Sequence, residues 1–108
     1  MDTLEGLPLA PRDLMILAVL SEGPLHGYGV IRAVEERSQS GVVLDPANLY
    51  RVLRRMRRSG WIEEAEATAE RRRVYEITAM GRELVAAELE RLRLLLEHAG
   101  PTLADGRR

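Results

Sequence analysis

The spacing of apolar and polar positions changes several times along the chain, and each change marks an element. All seven residues from Leu14 to Leu20 are apolar. With Pro11 opening the segment, Asp13 in its first turn and Ser21-Glu22-Gly23-Pro24 behind it, this predicts a helix buried nearly all round. The turn Gly23-Pro24-Leu25-His26-Gly27 leads into a second helix, where Leu25, Tyr28, Ile31 and Val34 recur at intervals of three and share a face. His26 falls where that helix begins and is expected to cap it. Ser38-Gln39-Ser40-Gly41 reads as a turn, and Val42-Val43-Leu44 predicts one short strand before the next helix.

The stretch Asp45 to Ile62 is the most informative. Asp45 is a candidate N-cap, Pro46 stands at the first helical position and Gly60 closes the helix. Between them Leu49, Val52, Leu53 and Met56 follow the i, i+3, i+4, i+7 spacing of a buried face. At about 100° per residue, Ala47, Arg51, Arg54 and Arg58 point the other way, with Asn48 and Arg55 on one flank and Tyr50 and Arg57 on the other. The helix thus carries five arginines and no acid. A solvated face ordinarily mixes signs for i, i+4 pairing; this one does not. Arg, Asn and Tyr on a single-sign helix suit phosphates and base edges, so the pattern predicts a DNA recognition helix.

Behind it, Trp61 to Ala65 predicts a strand and Glu66 to Arg71 a polar loop. Arg72 to Thr78 predicts a second strand in which Tyr75 and Ile77 share a face. A hairpin directly after a recognition helix is a wing. Thr78 is the expected N-cap of a last helix running to His98, which Gly100 and Pro101 are expected to end. On it Val85, Leu89, Leu92 and Leu96 step 4-3-4, the rhythm of a helix–helix seam, and Leu84, Leu94 and Leu95 widen the apolar surface. So much leucine on one helix of a small domain predicts self-association. Residues 1–10 read as a loose arm whose Leu4, Leu7 and Leu9 suit a partner surface. The expected organisation is an arm (1–10), a winged helix-turn-helix (11–78), a dimerisation helix (79–99) and a tail (100–108). The fold class is mainly α with a small β-hairpin.

Composition narrows the chemistry. The chain has 108 residues, enough for one domain, and no Phe, so its core must come from aliphatic residues. It has no Cys and two His at opposite ends, and it shows neither metal-ligand spacing nor a Gly-rich phosphate loop. No cofactor, metal or catalytic residue is therefore expected. Adjacent carboxylates such as Glu35-Glu36 and Glu63-Glu64 diverge on regular elements and read as solvated. No apolar run approaches the ~20 residues of a membrane span, so no membrane partner and a cytoplasmic setting are expected. All sixteen basic residues are Arg, which compositional bias alone would produce, and the net charge is −1. DNA binding would thus come from a local patch on an acidic body.

The strings Leu20-Ser21-Glu22-Gly23-Pro24-Leu25-His26-Gly27-Tyr28, Leu44-Asp45-Pro46-Ala47-Asn48-Leu49-Tyr50, Gly60-Trp61-Ile62 and Tyr75-Glu76-Ile77-Thr78-Ala79-Met80-Gly81-Arg82 resemble the PadR family of bacterial transcriptional regulators, over about residues 14–98. The resemblance implies a homodimeric, sequence-specific repressor released by a small hydrophobic or aromatic effector. It places Tyr28, Asn48 and Tyr50 near DNA, and Tyr75 and Ile77 on the packed side of the wing. Arg51 stands where many relatives have Pro, adding charge to the DNA side. The wing loop carries Glu66 and Glu70, which oppose a phosphate. The last helix lacks the Trp that stacks on ligands in small drug-responsive members, and Trp61 reads as wing core.

The expected DNA contacts are Tyr28, Asn48, Tyr50, Arg51, Arg54, Arg55 and Arg58, with Arg71, Arg72 and Arg73 from the wing. The expected DNA is a double-stranded, pseudo-palindromic operator. The alternative is the same fold used as a protein–protein module, its basic helix docking an acidic partner.

Overall fold

The computed structural model describes residues 6–67 and 72–105. In chain order these form α1 (Pro11–Leu20), β1 (Leu25–His26), α2 (Gly27–Arg37), α3 (Pro46–Arg58), β2 (Ile62–Ala67), β3 (Arg72–Ile77) and α4 (Ala79–Asp105). The strands make one antiparallel sheet in the order β1-β3-β2. Ile62 lies opposite Ile77 and Glu64 opposite Tyr75, while Leu25 meets Tyr75 from the other side. The wing is therefore three-stranded. Val42–Leu44 forms no strand, contrary to expectation; Leu44 is buried while Val43 is exposed. The third strand is instead Leu25–His26, two residues too short to show an alternating pattern.

Ile16, Leu17 and Leu20 of α1, Val30 and Val34 of α2, Leu49, Leu53 and Met56 of α3, and Ile62 of β2 fill the core. Burying each of these large aliphatic side chains contributes roughly 1.5–3 kcal/mol. On α3 the four residues the spacing assigned inward, Leu49, Val52, Leu53 and Met56, are the four buried ones. Gly60 ends this helix with φ +84°. Its N–H donates to the Arg57 carbonyl and the Trp61 N–H to that of Met56, a paired closure that favours glycine. On α2 the expected face holds in part: Val34 is buried and Leu25 and Ile31 pack against the core, but Tyr28 is exposed and Val30 turns inward instead.

Thr78 caps α4 as expected, its Oγ1 accepting from the Gly81 N–H and donating to the Gly60 carbonyl. The helix does not stop at Gly100-Pro101 but continues to Asp105. Gly100 is not in the left-handed conformation that would close a helix, so it acts as an ordinary, weaker helical residue. Residues 6–10 do not form a loose arm. Leu9 is buried in the chain's own core, and its N–H donates to Oε2 of Glu88 at 3.0 Å. Leu4 lies outside the described residues.

The first turns of α4 belong to the core of the domain, where Leu84, Val85 and Glu88 are buried. From Leu89 onward the helix leaves it: Leu89 is 50% and Leu96 71% exposed. The radius of gyration, 15.6 Å, exceeds the ~13 Å of a compact chain of this size, because α4 projects.

Candidate nucleic-acid interface

α3 reaches the surface along the side opposite its four core residues. Asn48, Tyr50, Arg51, Arg54, Arg55 and Arg58 are all exposed. Among the described residues no carboxylate pairs with Arg51, Arg54 or Arg58, so this row presents uncompensated guanidinium groups. The rest of α3 is tied down. Asp45 adopts N-cap backbone geometry, but its carboxylate caps no N–H; it accepts instead from the Asn48 side-chain amide at 3.0 Å. One hydrogen of that amide is thus engaged, which orients Asn48 and leaves its carbonyl and second hydrogen outward.

Arg55 donates from Nη2 to Oδ2 of Asp13, 2.8 Å away on α1. Arg12 reaches the same carboxylate from Nε at 3.3 Å. On the other flank Arg57 and Arg73 both pair with Glu64 of β2, Arg73 at 2.7 Å. Arg55 and Arg73 are therefore shared with internal carboxylates, unlike Arg51, Arg54 and Arg58. Glu64, which reads as solvated in the sequence, is an anchor whose side chain is largely buried. Arg71, Glu70 and the side chains of Arg72 and Glu66 lie outside the described residues; the backbone of Arg72 pairs with that of Ala67.

The tyrosines extend this surface toward α2. Tyr28, Tyr50, Tyr75, His26, Gly27 and Arg73 line an open depression of about 430 Å³. A smaller one next to it shares Tyr50 and Tyr75 and adds Arg54, Arg57 and Glu64. A third, of about 380 Å³, shares Arg54 and adds Arg12, Asn48, Arg51, Arg55 and Arg58. Shared walls make these one continuous surface along α3, from the wing to α1. Gly27 allows this: a β-carbon there would stand 2.3 Å from the Tyr50 hydroxyl. His26 accepts the Gly29 N–H on Nδ1 at 3.2 Å, as its capping role requires. The Arg32 guanidinium lies over the Tyr28 ring, 5.9 Å from its centre, adding another cation to this surface. Burial, with the nearby Tyr50, raises the pKa of Tyr75, so its hydroxyl stays protonated at neutral pH.

A helix with an acid-free basic row, backed by two helices and flanked by a three-stranded wing, defines a winged helix-turn-helix of the DNA-binding type. The transcriptional regulator PadR-like family matches residues 16–87, and the chain belongs to it. Solved structures share the fold. A PadR family transcription regulator from Clostridium difficile R20291 is 20% identical with a TM-score of 0.76, covering 87% of this chain and 99% of that one. H. salinarum RosR is 24% identical with a TM-score of 0.66 over 94% and 96% of the two chains. Bacillus subtilis PadR in complex with operator DNA is 20% identical with a TM-score of 0.64, covering 71% of this chain and 45% of that one. An uncharacterized 37.1 kDa protein in transposon TN4556 of Streptomyces fradiae is 36% identical over 76 residues, 70% of this chain. That match spans about a fifth of the relative's length, 21%. No helix among the described residues is long and apolar enough to cross a membrane.

Sequence reasoning missed Arg12, and it placed Arg57 on a flank of the basic side without counting it among the contacts. Arg12 carries no periodic signal and comes to α3 only through Asp13. Arg57 lies one step off the outward row, where only the fold reveals that β2 offers it a carboxylate.

Proposed function

We propose that the chain is a sequence-specific DNA-binding transcriptional regulator, acting as a homodimeric repressor that a small hydrophobic or aromatic effector releases. One observation carries this reading: Arg51, Arg54 and Arg58 stand exposed in a row without a carboxylate among the described residues. In the proposed complex α3 enters the major groove, where arginine forks pair with guanine edges and Asn48 with adenine. Tyr28 and Tyr50 meet phosphates, and Arg71, Arg72 and Arg73 meet the backbone from the wing.

Dimerisation is proposed through Leu89, Leu92 and Leu96, which continue the buried line of α4 beyond the protomer core. Val85 leaves the expected seam because its own protomer buries it. Two recognition helices set by paired α4 helices would read half-sites of a pseudo-palindrome about 34 Å apart. An effector would release DNA by preferring a dimer geometry that misaligns those heads.

The test is a gel-shift of the double variant Arg51→Ala/Arg54→Ala against the protein's own upstream region. Loss of the specific shift at fixed salt is expected; wild-type affinity would overturn the assignment.

A further inference from the structure

Two buried carboxylates on opposite flanks of α3 each hold a pair of arginines, and the pairing is more than neutrality requires. Asp13, its side chain 8% exposed, takes Arg12 and Arg55; Glu64, at 9%, takes Arg57 and Arg73. One guanidinium would compensate each carboxylate. The second leaves each bridge with a net charge of +1 and holds two like charges side by side. Each of these ion pairs engages one N–H group of its guanidinium, and a guanidinium has five. The four arginine side chains remain 43–68% exposed, so the unused donors face solvent.

The placement is equally specific. At about 100° per residue, Arg55 and Arg57 fall on opposite sides of the outward row Arg51, Arg54, Arg58. One bridge fastens α3 to α1, and the other fastens it to the wing. A helix lying in a major groove about 12 Å wide has a phosphate backbone along each side. Paired guanidinium forks fit phosphodiester oxygens, and a buried carboxylate orients them before DNA arrives.

Resting on the DNA-binding reading above, we propose that the Arg12–Asp13–Arg55 and Arg57–Glu64–Arg73 bridges are two phosphodiester clamps, one for each strand. They set the position of α3 in the groove and leave base reading to the row between them. Arg12 and Arg57 become backbone-contact residues, and Asp13 and Glu64 positioning residues.

The test measures binding of wild type, Arg12→Ala, Arg57→Ala and Arg54→Ala across a salt series by fluorescence anisotropy. The probes are a duplex of about 30 base pairs selected by the protein from a random pool, long enough for two half-sites, and a random-sequence duplex of equal length. Arg12→Ala and Arg57→Ala should weaken binding to both duplexes by the same factor. Each should lower the slope of log K against log salt by about 0.9 for every phosphate it no longer neutralises. Arg54→Ala should lower the selected-to-random ratio. Phosphate-ethylation interference should disappear at positions on opposite strands in the two clamp variants, and Arg12→Lys and Arg57→Lys should restore the slope. Unchanged slopes, or a fall in the ratio resembling that of Arg54→Ala, would overturn the clamps while leaving sequence-specific binding intact. Lowered slopes in a protein with no preference for the selected duplex would sustain the clamps and sink the proposed function. Thermal melts check folding, since Asp13 and Glu64 each keep one arginine in either variant.

Discussion

Replacing Glu88 by alanine removes the buried acceptor that fixes residues 6–10 to α4. Glu88 is 1% exposed, takes the Leu9 N–H at 3.0 Å, and receives Arg91 Nε and Nη2 at 2.6 and 2.9 Å. Losing the charge-assisted bond and leaving the Leu9 N–H without an acceptor costs about 1.5–3 kcal/mol. The Arg91 pair adds little, because that arginine is solvent-exposed and its charge is screened. Removing a desolvated charge offsets part of this, so the net loss is about 2 kcal/mol. For a domain of this size that lowers Tm by roughly 10 °C. The hydrogen bonds from Arg91 hold the Glu88 carboxyl below its ordinary value of 4.5 against the opposing effect of burial. Its contribution is therefore complete above that value and lost as pH falls through the lowered one. Glu88→Gln, which keeps an acceptor oxygen, should be less stable than wild type at about pH 7, and the gap should narrow at about pH 3. Glu90, whose pKa Arg93 lowers, titrates in both proteins and cancels. Urea unfolding at one fixed protein concentration reads both effects. A Glu88→Ala protein melting within about 2 °C of wild type, or a gap that persists in acid, would refute the reasoning.

Two other sets of substitutions probe the scaffold and the proposed dimer. Gly81→Ala would set a β-carbon 2.3 Å from the Trp61 carbonyl oxygen and 2.8 Å from Ile77 Cγ1. The Trp61 carbonyl is held by the Thr78 N–H, so denaturant unfolding should report a loss of about 1–3 kcal/mol, and an unchanged midpoint would contradict this packing. Leu89→Glu/Leu96→Glu should convert the proposed dimer to a folded monomer in sedimentation. A dimer of undiminished stability would move the interface elsewhere.

The core side of α3 was legible in the sequence because its signals are local. One period, a proline start and a left-handed glycine end all lie within Asp45–Gly60, and no distant residue alters which side Leu49, Val52, Leu53 and Met56 bury. Thr78 and His26 were legible as caps for the same reason. What escaped depends on partners far along the chain. Asp13 meets Arg55 across 42 residues, and Leu9 meets Glu88 across 79. Nothing local distinguishes Glu88 from its exposed neighbours on α4, or Val85 from the leucines beyond it; the body of the domain covers the first turns and ends there. Asp45 looked like a side-chain cap because the residue type fits, yet Asn48, three residues on, offered its carboxylate another donor. The short strand was misplaced because Val42–Leu44 has strand composition, whereas Leu25–His26 is a strand only because Tyr75 and Val74 lie beside it.

In the proposed complex the exposed arginine row of α3 distinguishes one DNA sequence from others. The most direct measurement compares wild-type affinity for the selected duplex and for a random duplex at about 150 mM salt, where nonspecific attraction is screened. Binding to the selected duplex should be tighter by at least ~10³-fold. Equal affinity for the two would contradict the claim.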